Sequence, residues 1–261
     1  MTERKKQKSS VVTVILFALA VLLLLFGTVG GIRAALTYFS QTYSSRLSTL
    51  NIGITLNENG VPVGRRDYDS DGKWKEETGE LLTNMLSEGE ELVVGKAYDE
   101  ALTVTNSGSI DEYVRVTIYK YWMDQNGKRT NLSPDLIHLN LTNDGWIRDD
   151  LYSTKANDSR YKERTVLYYT KPLAVGETTT ALSDKLSIDS SIGTKVRQET
   201  KTENGYTTIT TIYDYDGVQF CVEAEADGVQ THNAKDAILS AWGRNVEISD
   251  DGTLSLVKEG E

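Results

Sequence analysis

The chain has 261 residues, enough for one or two domains with a packed core, and a formal net charge of -10. Residues 36–261 hold 23 basic against 37 acidic side chains, a surface that repels phosphate backbones and excludes nucleic-acid binding as the main role. The single cysteine, Cys221, excludes any disulfide within the chain, so the fold must rest on ordinary core packing.

Residues 1–10 form a basic stub, with Arg4, Lys5, Lys6 and Lys8 against Glu3. From Val11 to Ile32 no residue is charged, and that length of helix spans about 33 Å, the thickness of a bilayer's hydrocarbon core. The pattern predicts one signal or transmembrane helix over 11–32. The flanking lysines place its amino end in the cytoplasm and the rest of the chain outside. Residues 33–49 then serve as a linker or processing region. Small residues are present at Gly30, Gly31, Ala34 and Ala35. A cut after Ala35 leaves Arg33 at the third position before it, which general secretory cleavage disfavours. Two fates stand side by side: a retained single-pass anchor, or release to the cell surface or matrix by a specialised peptidase.

Residues 50–261 read as one extracellular β-domain. Leu50, Ile52, Ile54 and Leu56 alternate with polar residues, the pattern of a half-buried strand. Further strands are expected over Tyr98–Thr105, Tyr113–Trp122, Ile137–Leu141, around Val166 and Tyr168, around Leu186 and Ile188, and over Val218–Ala226. Val196–Thr202 and Tyr206–Tyr215 flank Asn204-Gly205, a pair suited to the positive φ of a tight hairpin turn. This hairpin is polar on both faces and is expected to project from the body. Two short helices are expected, over Glu80–Leu86 and over Ala234–Trp242. The second is capped by Asn233 and stopped by Gly243. Many short strands at close spacing predict an antiparallel β-sandwich with a short C-terminal helix.

Candidate chemistry is sparse. Asp67, Asp69 and Asp71 alternate ahead of Gly72, like the first half of a loop that wraps calcium in oxygen ligands. The twelfth position of such a loop is Thr78 rather than glutamate, so the alternative is an acidic, solvated turn. No other cofactor is indicated. His138 and His232 belong to no His-Glu-x-x-His pair, and no Gly-x-Ser-x-Gly elbow or phosphate loop is present, so no catalytic set is visible. Cys221 lies between Phe220 and Val222 and reads as a small core residue. Clusters such as Tyr119, Tyr121 and Trp122, or Tyr168 and Tyr169, suit cross-strand packing, or else a sugar-stacking platform.

Several of these residues together are familiar. The apolar helix, Tyr38-Phe39-Ser40 and the strand Asn51-Ile52-Gly53-Ile54-Thr55-Leu56 resemble the TasA/camelysin group of exported Gram-positive proteins, as does the run from Leu102 through Asn106, Gly108, Asp111, Tyr113 and Arg115. The resemblance implies a jelly-roll sandwich, processing by a dedicated SipW-type signal peptidase, and a role in cell-surface or biofilm-matrix fibres. It also implies assembly by donation of an amino-terminal strand to a neighbouring subunit, whose matching segment here runs from Tyr38 to Leu56 with Leu50, Ile52, Ile54 and Leu56 as its apolar face. The expected partners are the membrane, further copies or related matrix subunits, and the peptidase. Two other readings stand: a membrane-tethered adhesion module for glycan or protein, and a camelysin-like metalloprotease, for which no zinc motif is present.

Overall fold

The computed structural model describes residues 51–258 except 69–70, 88–89, 153–161 and 204–205. The expected membrane helix over 11–32 therefore lies outside the described residues, as does Leu50. Among the described residues no helix is long and apolar enough to cross a membrane. The chain divides between residues 49 and 50 into two units.

The second unit, Leu50–Glu261, is mainly β, with antiparallel sheets. In chain order the strands are β1 (Ile54–Glu58), β2 (Val61–Tyr68), β3 (Trp74–Thr78), β4 (Ala97–Asp99), β5 (Leu102–Asn106), β6 (Glu112–Asp124), β7 (Gly127–Lys128), β8 (Ile137–Leu141), β9 (Trp146–Arg148), β10 (Arg164–Tyr169), β11 (Ser183–Ile188), β12 (Val196–Glu203), β13 (Tyr206–Tyr213), β14 (Gln219–Gln230), β15 (Val246–Ile248) and β16 (Leu254–Leu256), with helix α1 (Ala234–Trp242) before β15.

One sheet runs β3-β2-β1-β5 and a second runs β4-β11-β8. Backbone bonds from Thr179 to the Val104 carbonyl (2.8 Å) and from Leu182 to the Leu102 carbonyl (2.9 Å) carry the ladder from β5 along the segment leading into β11. A further sheet runs β14-β6-β10-β9, with β7 on the end of β6. Strand β6 lies inside it, paired by β14 and β10, and its first half is buried on both faces. Val114, Val116, Ile118 and Trp122 join Ile54, Leu56, Leu102, Val104, Ile137, Leu167 and Leu186 in one hydrophobic cluster. Tyr113, on the other face of β6, packs with Val166, Tyr168 and Val229 under α1, which contributes Ala234, Ile238 and Trp242. The four-residue spacing of those three puts them on one side of the helix.

The chain thus alternates as expected through the long strands, with three differences. Residues 80–86 form turns rather than a helix. Leu82 takes a left-handed φ of 71°, which a continuous helix forbids, and the amides of Leu82 and Asn84 are drawn onto the carboxylate of Glu58. Asn233 precedes α1 in a left-handed conformation with no side-chain cap bond, whereas capping needs an extended backbone to aim the side chain at the first turn. Tyr98–Thr105 is split into β4 and β5 at Glu100-Ala101. The stop at Gly243 is as expected: φ is 66°, and its amide donates to the Leu239 carbonyl at 3.0 Å. The β12–β13 hairpin pairs with no other strand among the described residues and is closed by Glu203 opposite Tyr206. Val196 and Tyr213, at its base, are exposed.

Candidate functional site: a groove beside an open strand edge

Strand β14 pairs with β6 through twelve residues, and its other edge has no strand partner among the described residues. Opposite that edge stand β1, β2 and the turn after β3. Between them lies a groove of about 860 Å³. Leu56, Val63, Leu81 and Leu82 line one wall, and Phe220, Val222 and Ala224 line the other. The period-two pleat explains the β14 wall. Phe220, Val222, Ala224 and Ala226 fall on the inner face, while Glu223 and Glu225 fall outside.

The groove is bounded at one end by charge. Arg66 reaches from β2 to Glu76 on β3 (2.7 Å) and crosses to Glu225 (3.1 Å) and Asp227 (3.4 Å) on β14. Arg115 meets the same Asp227 at 2.6 Å and lies over the Trp242 ring. Beyond this cluster is a smaller cavity of about 280 Å³, lined among others by Ile52, Arg66, Trp74, Arg115, Asp227 and Trp242. Trp74 is half exposed and packs edge-on against Tyr68.

The chain enters the domain next to this cavity. Gly53 passes Gly108 so closely that a Cβ on Gly53 would lie 2.6 Å from the Gly108 nitrogen, so only glycine fits at the crossing. The Gly53 amide donates to Glu112 Oε1 at 2.7 Å. The neighbouring turn is locked by Asn106, which donates to the carbonyls of Ile110 (2.8 Å) and Leu173 (2.9 Å) and accepts from the Gly108 amide (2.9 Å).

Buried carboxyls bracket β1. Glu112 is fully buried with Oε2 unpartnered, and burial pushes its carboxyl up to about 7, against the opposing bond from Gly53. At the far end, Glu58 accepts from the amides of Leu82 and Asn84 and from the Asn84 side chain (2.8 Å). Glu100 stands two residues before Leu102, the ladder partner of Glu58, and faces Glu58, fully buried, with neither oxygen hydrogen-bonded to a donor. Burial first, and the Glu58 charge second, push Glu100 up to about 8. Nothing in the alternation of β1 or the short β4–β5 run marks these carboxyls as buried.

The residues singled out in the sequence fall as follows. Asp67 is buried and pairs with Arg65 at 2.6 Å. Asp71 is exposed near the tip of the β2–β3 hairpin, and Asp69 lies outside the described residues. No group of three or more His, Cys, Asp or Glu suited to a metal occurs among the described residues. Ile54 and Leu56 are buried in the chain's own sheet, where β1 is paired on both sides, by β2 and β5. Ile52 is half buried. Trp122 packs against Tyr215 and Phe220, and Tyr168 against Trp242. Cys221 is half buried, and burial raises its thiol, which leaves it a poor nucleophile. His138 is exposed and meets Asp189 at 3.0 Å. No family model matches the chain, and no curated protein matches it.

Proposed function

We propose that the chain is an exported, non-enzymatic structural protein of the cell surface or extracellular matrix, a jelly-roll β-sandwich whose copies join by strand addition. The observation that carries this reading is the apolar groove running beside the edge of β14 that has no strand partner among the described residues. An extended segment laid there would pair its backbone with β14 and drop alternate side chains between Leu56 and Val222.

The occupant we assign is residues 38–50 of a second copy. Ile54 and Leu56 already fill their own core, and withdrawing β1 would break two ladders, so the donated part precedes it. At about 3.3 Å per residue these residues reach roughly 43 Å, enough to run along all of β14. In an extended segment Phe39, Tyr43 and Leu47 would share one face. The uncharged run over 11–32 and its basic flank support export, with a retained anchor or a cut by a dedicated peptidase before Tyr38 as the two routes to the surface.

Deletion of residues 38–49 leaves β1 intact and is expected to abolish filaments of the released chain in negative-stain electron microscopy. Filaments that persist in this variant would overturn the strand-addition mechanism.

A second reading is a tethered glycan-binding module, supported by the smaller cavity. There the half-exposed Trp74 stands beside Arg66 and Asp227, an aromatic plane with charged hydrogen-bonding groups. It predicts saturable binding to a glycan panel that Trp74→Ala removes, with particles that stay dispersed.

A further inference from the structure

The groove's wall is fastened by an unusual device. The turn over residues 79–84 supplies Leu81 and Leu82 to the lining, and it is held to the end of β1 by the three N–H bonds into the Glu58 carboxylate. Behind Glu58 sits Glu100, with no exposed surface and no donor to either oxygen. Two carboxylates cannot share such a site as anions, because each desolvated charge lacks a compensating cation.

Among the described residues the surroundings supply none. From β11, Lys185 points outward and pairs with Asp99 at 2.5 Å, and Asp184 is exposed and takes a bond from Asn140. Ser183 donates to the Glu100 backbone carbonyl rather than to its side chain. From the turn, Glu80 is exposed. Glu58 on β1 is the charged group facing Glu100.

We propose that Glu58 and Glu100 work as a proton-sharing latch: with a proton on Glu100 the pair holds the 79–84 wall closed, and loss of that proton to solvent releases the wall. Protonated Glu100 donates to a free lone pair of Glu58, so one proton satisfies both residues. Once it leaves, the repulsion is relieved most readily where water can enter, by detachment of the turn whose amides Glu58 holds. The wall's release stands by itself. Its consequence, weaker capture of an added strand at alkaline pH, rests on the groove being the strand acceptor.

The test is hydrogen exchange on the full chain in detergent micelles, read as protection factors for peptides covering 79–86, so that the intrinsic pH dependence of exchange is divided out. Between pH 6.5 and 9 the wild-type protection is expected to fall at least about tenfold, the size that linkage gives for a carboxyl raised this far in the closed state alone. Glu100→Gln, neutral and of the same shape, is expected to keep the acid level of protection throughout. Flat protection in the wild type, or a fall in Glu100→Gln equal to that of the wild type, would overturn the latch. If the variant does not fold, a carbon-13 titration of the Glu100 carboxyl decides: a midpoint near the ordinary glutamate range refutes the proposal, and one near 8 upholds it. Binding of a peptide of residues 36–50 is measured alongside. A peptide that binds at no pH refutes the strand-acceptor reading and leaves the exchange result to judge the latch.

Discussion

The domain buries acidic side chains in two contrasting ways. Under the β9–β10 end of its sheet, Asp149 is fully buried with Arg244 at 3.0 Å, itself hardly exposed, and also accepts from the Leu151 amide at 3.1 Å. Around β1, Glu100 and Glu112 are buried just as deeply, with no cation paired to them among the described residues. The first arrangement offsets desolvation with an opposite charge and works at any ordinary pH. The second holds only while a proton takes the cation's place. An ion pair therefore reads as permanent structure, and a proton-dependent carboxyl as a place where the fold can be loosened.

The sharpest way to break this contrast is to make the first region resemble the second. Arg244→Ala strands Asp149 without its cation and is expected to cost about 3–5 kcal/mol in a denaturant melt, the usual penalty for orphaning a buried charge. A loss below roughly 1 kcal/mol would mean that water already reaches Asp149.

The next effect runs through pH. Folded-state values of about 7 for Glu112 and about 8 for Glu100 stand above the ordinary glutamate value of 4.5. The folded state therefore binds more protons than the unfolded chain. Its extra stability is fully present below about pH 4.5 and lost as pH rises through 7 and then 8. Denaturant midpoints measured from pH 4 to 9 should fall by an amount worth several kcal/mol. Glu112→Gln keeps an acceptor for the Gly53 amide and should flatten the part of that fall below pH 7, whereas an unchanged profile would place its source elsewhere.

The smallest effect separates buried pairs from half-exposed ones. Glu163 is nearly buried, but its partner Lys128, at 2.5 Å, is exposed. Water can replace that ammonium, so Lys128→Met should cost about 1 kcal/mol or less, clearly below the Arg244 change.

Much of the fold was legible from residue patterning. The alternation of Tyr113–Trp122, Ile137–Leu141 and Leu186–Ile188 placed β6, β8 and β11, and Asn204-Gly205 placed the β12–β13 hairpin. The spacing of Ala234, Ile238 and Trp242 placed α1. The β2–β3 hairpin was not legible in the sequence because its strands are rich in charge and largely exposed, so no sustained apolar period marks them. The β15–β16 pair was not legible because three-residue strands are too short to show one.

The groove was less legible than the strands. Phe220, Val222 and Ala224 announced a strand, but whether its outer edge is covered depends on residues far away in the chain. Leu81, Leu82, Met85 and Leu86 carried a helical spacing, yet Glu58 claims the amides of that segment and turns it into a wall.

Local chemistry by itself determined which stretches are extended, where the chain turns and which faces are apolar, because those properties follow from side-chain period and backbone preference within a few residues. Only the tertiary structure decided that β1 is filled by its own sheet, that one edge of β14 has no strand partner among the described residues, and that Glu58 meets Glu100 beside a ladder. Those outcomes depend on register between segments dozens of residues apart. A carboxyl's state depends on what is packed around it, and no single stretch of sequence contains its neighbours.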